Sequence, residues 1–444
     1  MSLPIFSSRT PAFKQWLKDL LAHRSALGDG VEGAVASIIE AVRERGDDAL
    51  IEFTERYDHA TLTKSALRVS PREISQALKT LPGDERKALE LAARRIREFH
   101  RHTLDKSFTY KDQFGMRLGQ LVQPLNRVGI YVPGGAAAYP STVLMNALPA
   151  RVAGVKEIVM MCPTAGDLHP KVVLAAAAIA EVDEVYRVGG AQAIAALAYG
   201  TETIGAVDKI VGPGNAYVQT AKRMVYGVVD IDKTAGPSEV LIIADDSADP
   251  SWVAADLIAQ AEHGSGGEWA IVLTTSRTVA MNVAQALEDA LLDLPRAGAV
   301  KAVLDRRGAV VQVKSLAEAC EISNRIAPEH LELEVRHPQQ LLKSVRAAGA
   351  VFLGPLSSAP LGDYLAGPNH ILPTGGNARF ASPLGAYDFV KRSSIIQATP
   401  AAVASLGPVV AQLARMEGFE GHARAIERRF LPAASKRRIK RDGR

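Results

Sequence analysis

The spacing of apolar residues changes along the chain, and the changes mark its organisation. From Pro11 to Ala26 the large apolar residues Phe13, Trp16, Leu17, Leu20 and Leu21 recur three and four apart, which predicts an amphipathic helix. Two more helical stretches are predicted over Val31–Tyr57 and Pro71–His102, the second rich in Arg and Glu. From Arg127 onward, short apolar runs lead into turns and then into helical segments. Val128–Val132 meets Pro133-Gly134-Gly135 and a helix from about Ser141, and Glu157–Met161 precedes a helix from Pro170. Glu184–Val188 meets Gly189-Gly190 and a helix over Ala191–Tyr199, and Lys209–Val211 meets Gly212-Pro213-Gly214 and a helix over Ala216–Tyr226. Strand–turn–helix units in succession predict a parallel sheet with helical crossovers. Three of these turns are glycine-rich at the carboxyl end of a strand, where open α/β sheets bind ligands.

A second series begins at Glu239–Ile243, continues through a helix over Pro250–His263 and a strand over Trp269–Leu273, and reaches Gly349–Leu353. The stretch from about Leu384 reads as helical. The expected fold is therefore α/β: two open, mostly parallel, Rossmann-like sheets flanked by helices, with a helical N-terminal arm and a helical C-terminal extension. The expected boundaries are an arm at 1–27, a discontinuous first α/β domain at 28–130 and 240–383, a second at 131–239, and an extension at 384–444. Gly28–Gly33 matches G-x-G-x-x-G. That fingerprint needs a strand before it, and here an amphipathic helix precedes it, so it reads as a helix-to-helix turn.

Composition narrows the class. Apolar residues make up 47% and charged residues 23%, ordinary for a soluble globular protein, and aromatics are scarce at 5%. The formal charge of +4 belongs to the end of the chain. Ser435–Arg444 carries a net +5 and leaves −1 for everything before it. Such a tail reads as a solvated end. With no basic stripe and aromatic platforms elsewhere, nucleic acid is not an expected partner. The two cysteines, Cys162 and Cys320, both in apolar settings, suggest buried thiols in a reducing compartment. No charged segment followed by an apolar core opens the chain, and the longest apolar run, Val172–Ala180, is far short of a span of roughly 20 residues. A cytoplasmic protein with no membrane partner is expected.

Candidate chemistry concentrates in a few places. In Ala327-Pro328-Glu329-His330 a carboxylate adjoins an imidazole just after a proline, at the start of an alternating apolar run. This is a strand-edge position from which both side chains can face a cleft, and the pair suits proton transfer near neutral pH. Gln260 and His263 sit three apart and share one helix face, with Asp256 a turn earlier. Asp363 lies in a Gly/Pro-rich loop that also presents Asn369-His370, and Glu420 and His422 stand close to a late helix start. Imidazole, carboxylate and a neutral oxygen donor suit zinc, but no H-E-x-x-H or C-x-x-C spacing establishes a metal. The glycine-rich turns either cradle a pyrophosphate at helix N-termini or only close tight crossovers. Gln192 and Asn215, at or just before helix starts, either cap the helix or touch a ligand. Ser238 lacks the G-x-S-x-G elbow of a nucleophile.

Several of these strings together resemble one family. They are VGIYVPGG at 128–135, GGAQAIAALAYGT at 189–201, VDKIVGPGNAYV at 207–218, AGPSEVL at 235–241, QAEH at 260–263, APEHLEL at 327–333 and GPNHILPTGG at 367–376. The chain resembles histidinol dehydrogenase over nearly its whole length, the tail after about Phe430 excepted. The resemblance implies an NAD-dependent enzyme that oxidises L-histidinol to L-histidine at the end of histidine biosynthesis. This is a four-electron conversion of alcohol to acid, with two NAD consumed per turnover and one Zn2+ per subunit. It places the zinc ligands on Gln260, His263, Asp363 and His422, and the proton-transfer pair on Glu329 and His330. Substrate contacts fall on Ser238, His330, His370 and Glu417 besides the zinc ligands, and NAD contacts on Tyr131, Gln192 and Asn215. It also implies a homodimer with shared active sites, in which Glu417 and His422 complete the partner's site. Two positions depart from the family pattern: Gly264 stands where many relatives carry Asp, and Ala136 where a basic residue is common. Neither removes a ligand or an acid/base group. The resemblance leaves two alternatives in view: a related zinc- and NAD-dependent dehydrogenase for another small alcohol, or a non-catalytic binding protein.

Overall fold

The computed structural model describes residues 3–22, 30–134, 138–163, 171–234, 236–263 and 267–430. The departures at Ala136 and Gly264 and the basic tail lie outside them. Two compact units are present: Met1–Leu104 with Leu125–Phe389, and Asp105–Pro124 with Val390–Arg444.

In chain order the strands are β1 (Ile5–Ser7), β2 (Phe108–Lys111), β3 (Arg117–Pro124), β4 (Arg127–Tyr131), β5 (Glu157–Met161), β6 (Glu184–Tyr186), β7 (Lys209–Val211) and β8 (Asp230–Ile231). They continue with β9 (Glu239–Ala244), β10 (Trp269–Thr274), β11 (Gly308–Gln312), β12 (His330–Glu334), β13 (Ala350–Leu353) and β14 (Val390–Gln397). The first unit holds two all-parallel sheets, ordered β1-β11-β10-β9-β12-β13 and β6-β5-β4-β7-β8. Strands β9 and β10 are buried along their whole length because helices cover both faces. One face of the β9 sheet packs on the helices Pro250–Ala261, Arg277–Ala290 and Ala297–Arg307. Its other face packs on Pro11–Ala22 and Leu316–Ile326.

The N-terminal segment is thus no free arm. Its strand β1 pairs with β11, and Phe13, Leu17 and Leu20 are buried against the β9 sheet. The helices between 32 and 101 also differ from expectation. They cover the β4 sheet rather than joining 240–383: Val35, Ile38 and Leu50 pack with Ile194 and Val218 on one face, and Ala93 and Ile96 pack with Leu144 and Leu148 on the other. The apolar pattern showed that these helices bury one face, but not which sheet receives it. Each of the two long helical stretches is also broken. Gly46 (φ 53°) separates Glu32–Arg45 from Asp47–Asp58, and Pro82 separates Pro71–Thr80 from Gly83–Arg101. Ile371, Leu384 and Phe389 join the core of the β4 sheet, so the chain stays in the first unit past 383.

The second unit is not purely helical. Strands β14, β3 and β2 form an antiparallel sheet, followed by the helices Pro400–Met416 and Glu420–Phe430, which pack on each other. Among the described residues no helix is long and apolar enough to cross a membrane.

Candidate active site

The proton-transfer pair sits at the amino edge of the β9 sheet. Ala327 closes the preceding helix in the left-handed region (φ 49°), Pro328 and Glu329 follow, and His330 is the first residue of β12, in register with Val240 of β9. Both side chains are buried. Glu329 is held by a reciprocal tie to Glu239, the first residue of β9. The Glu239 N–H donates to Glu329 Oε2 at 2.9 Å, and the Glu329 N–H donates to Glu239 Oε2 at 3.3 Å. The other oxygen of Glu239 accepts from the Gly375 N–H at 2.8 Å.

His330 Nδ1 lies 3.0 Å from the Glu239 carbonyl. A carbonyl only accepts, so Nδ1 carries the hydrogen and Nε2 is the working nitrogen, facing Asp363 Oδ1 at 3.5 Å. The same device recurs twice nearby. His263 Nδ1 is 3.1 Å from the Gln260 carbonyl, and His370 Nδ1 is 2.8 Å from the Asp363 carbonyl. In all three rings this assigns Nδ1 as the donor and Nε2 as the nitrogen turned to the site, as in histidines whose orientation a main-chain carbonyl fixes. Gln260 is buried with its amide nitrogen unpaired.

Electrostatics bind the cluster together. Burial would raise the Asp363 carboxyl, but His330, His370 and His263 outweigh it and hold the group below its ordinary range. Burial lifts Glu329 above the usual carboxylate range, against the pull of His330. Burial would lower His330, yet the carboxylates of Glu329 and Asp363 push it up to about 10. Burial lowers His370.

The expected NAD contacts gather at the opposite kind of edge, the carboxyl ends of the β4 sheet. Tyr131, Gln192 and Asn215 line one cavity of about 500 Å³, with Pro133, Gly134 and Gly190. The Asn215 side chain accepts from the Val218 N–H at 3.2 Å, so it caps its helix and also faces the cavity. Gly212 (φ 115°) turns where a Cβ would lie 2.2 Å from the Tyr131 carbonyl, so only glycine fits there. The Gly190 N–H donates to the Tyr131 hydroxyl at 3.1 Å.

The structure thus brings Glu329, His330, Asp363, His370 and His263 together, with Gln260 one turn before His263. Ser238 precedes Glu239, and its carbonyl accepts from the Trp269 N–H at 3.2 Å. Glu417 and His422 lie in the second unit, exposed, with the His422 ring 5.2 Å from that of Phe419. Sequence reasoning missed Glu239, whose partners are 90 and 136 residues away, and Glu332 and Glu334. Alternation from His330 along β12 was a signal for the latter two, since residues two apart share a face. They meet Asp256, which is partly buried.

Comparison with known proteins decides the family. The model of the family described as Histidinol dehydrogenase matches residues 22–430. The chain belongs to the histidinol dehydrogenase family. It is 55% identical to the histidinol dehydrogenase of Chromobacterium violaceum over 96% of this chain and 98% of that one. To that of Cupriavidus pinatubonensis it is 49% identical, over 97% and 98%. A crystal structure of histidinol dehydrogenase from Elizabethkingia anophelis superimposes with a TM-score of 0.91 at 34% identity, covering 96% of this chain and 98% of that one.

Proposed function

We propose that this member of the histidinol dehydrogenase family oxidises L-histidinol to L-histidine through bound L-histidinal, with one zinc ion per subunit and two NAD per turnover. The supporting observation is the group of three imidazoles around Asp363, each with Nδ1–H committed to a main-chain carbonyl. Two imidazoles, a carboxylate and the buried Gln260 amide are a donor set that fits zinc. Gln260, His263 and Asp363 would hold the ion, with His422 supplied by a second copy of the chain in a homodimer. Tyr131, Gln192 and Asn215 would hold NAD. Bound zinc would orient the amino alcohol, and NAD would accept a hydride in each oxidation.

The remaining roles belong to side chains of the protein. Ser238 and His370, with Glu417 of the second copy, would position the substrate. His330 takes the hydroxyl proton on Nε2. Its high proton affinity depends partly on Asp363, so engaging that carboxylate with a cation leaves an imidazole ready to accept. Glu329, beside it and tied to Glu239, helps water add to the aldehyde, and His330 serves again in the second oxidation. Burial of both groups keeps the aldehyde from side reactions.

The test is NADH formation from histidinol, with and without a chelator. Two NADH per histidinol are expected, lost on chelation with unchanged circular dichroism and restored by zinc. No NADH, or faster NADH formation from another small alcohol, overturns the assignment.

A further inference from the structure

We infer that Asp58 is the residue that recognises the adenosine-side ribose of the dinucleotide and excludes its 2′-phosphorylated form. The inference rests on the NAD reading above and adds a specificity determinant to it. Asp58 is the last residue of the helix Asp47–Asp58, followed by His59 in the left-handed region at φ 54°. A carboxylate is disfavoured at a helix C-terminus, where the dipole is negative. Its oxygen Oδ2 is also buried without a hydrogen-bond partner, which costs further. Burial pushes the carboxyl up to about 6, against the pull of the Gly189 N–H and of His59. Local propensity, solvation and dipole all argue against an acid here, and such conflicts cluster at sites kept for a ligand.

The ligand's class follows from the surroundings. Asp58 lines the cavity with Tyr57, Tyr131, Gln192, Asn215 and Tyr217. The helices Gly190–Tyr199 and Ala216–Val225 both begin at this cavity, and the positive ends of their dipoles favour an anion such as a pyrophosphate. Asp58 stands beside the first of them, with Oδ2 3.2 Å from where a Cβ on Gly189 would lie. An acceptor-only carboxylate next to an anion subsite calls for hydroxyl donors on the same ligand, which a ribose diol supplies. The half-exposed rings of Tyr57 and Tyr217 offer aromatic surface for an adenine. A 2′-phosphate would meet this carboxylate with no Lys or Arg among the described lining residues. Asp58 reaches the sheet's carboxyl edge from a helix that precedes the sheet's first strand. It therefore does by another route what the acid of a dinucleotide fold does for the 2′-hydroxyl.

The experiment uses the full-length, zinc-loaded enzyme with histidinol and three dinucleotides: NAD, NADP and NAD with a 2′-deoxyadenosine. For the wild type, kcat/KM is expected to fall about 10- to 100-fold on removing the 2′-hydroxyl, the range for a hydrogen bond to a charged group, and further for NADP. Asp58→Ala should raise KM for NAD by about the same factor with kcat little changed, and should use the deoxy analogue about as well as NAD. Asp58→Asn should narrow the preference for NAD over NADP by at least ~10-fold. Equal use of NAD and the deoxy analogue by the wild type overturns the inference without any variant. So does a dinucleotide preference unchanged in a folded Asp58→Asn. A wild type that turns over none of the three and binds no NADH in a fluorescence titration instead defeats the dehydrogenase reading beneath it.

Discussion

Glu334→Gln reports how the β9 sheet tolerates three carboxyls where β12 meets the helix that carries Gln260. Glu332 and Glu334 are buried on the His330 face of β12, and with Asp256 they place carboxylate oxygens within 4.8 Å of one another. Burial, then the charge of Asp256, lifts Glu334 from 4.5 to about 8. Burial likewise raises Asp256 and Glu332. Near neutrality Glu334 therefore keeps its proton and donates it to Asp256. The folded-state pKa lies above the unfolded one. Stability from this group is thus complete below about pH 4.5 and is lost as pH rises through about 8. The whole interval is worth ~5 kcal/mol, of which ~3 kcal/mol is gone by neutral pH. Gln has nearly the same shape, still donates to Asp256 and cannot ionise. The variant should match the wild type at the acid end and be more stable by up to ~3 kcal/mol at neutral pH. Thermal or urea unfolding of both proteins from about pH 5 to about pH 8 measures the difference. Curves for wild type and variant that stay parallel over that range would refute the protonated-carboxyl account.

Two further predictions concern the chemistry. His330→Asn keeps a donor toward the Glu239 carbonyl but removes Nε2, so turnover should fall at least ~100-fold with the fold intact by circular dichroism. A smaller loss would move the base elsewhere. Glu329→Gln should slow histidinal oxidation more than histidinol oxidation in single-turnover experiments, and an equal loss on both substrates would end the division of labour between Glu329 and His330.

Parallel strands such as β5, β7, β9 and β10 were legible in the sequence because they are buried and bounded by turns, whereas β1, β8 and β11 were not among the predicted runs. Glu157–Met161 and Lys209–Val211 match the predicted runs residue for residue. Strands β2, β3 and β14 were not legible. They are largely exposed, so no alternation of apolar and polar residues betrays them. At the site, the types and spacing of Glu329, His330, Gln260, His263 and Asp363 were visible, but their meeting was not. Those residues are separated by as many as 103 positions, and only the pairing of β12 with β9 and the return of the 359–375 segment bring them to one edge. Local sequence sets which face of a strand or helix is buried and which groups can do chemistry. Burial itself, and the neighbours that assign each proton, come from segments distant in the chain. Asp58 is the clearest case: a helix-ending acid in sequence, and a carboxylate facing a cavity only once the β4 sheet has closed against its helix.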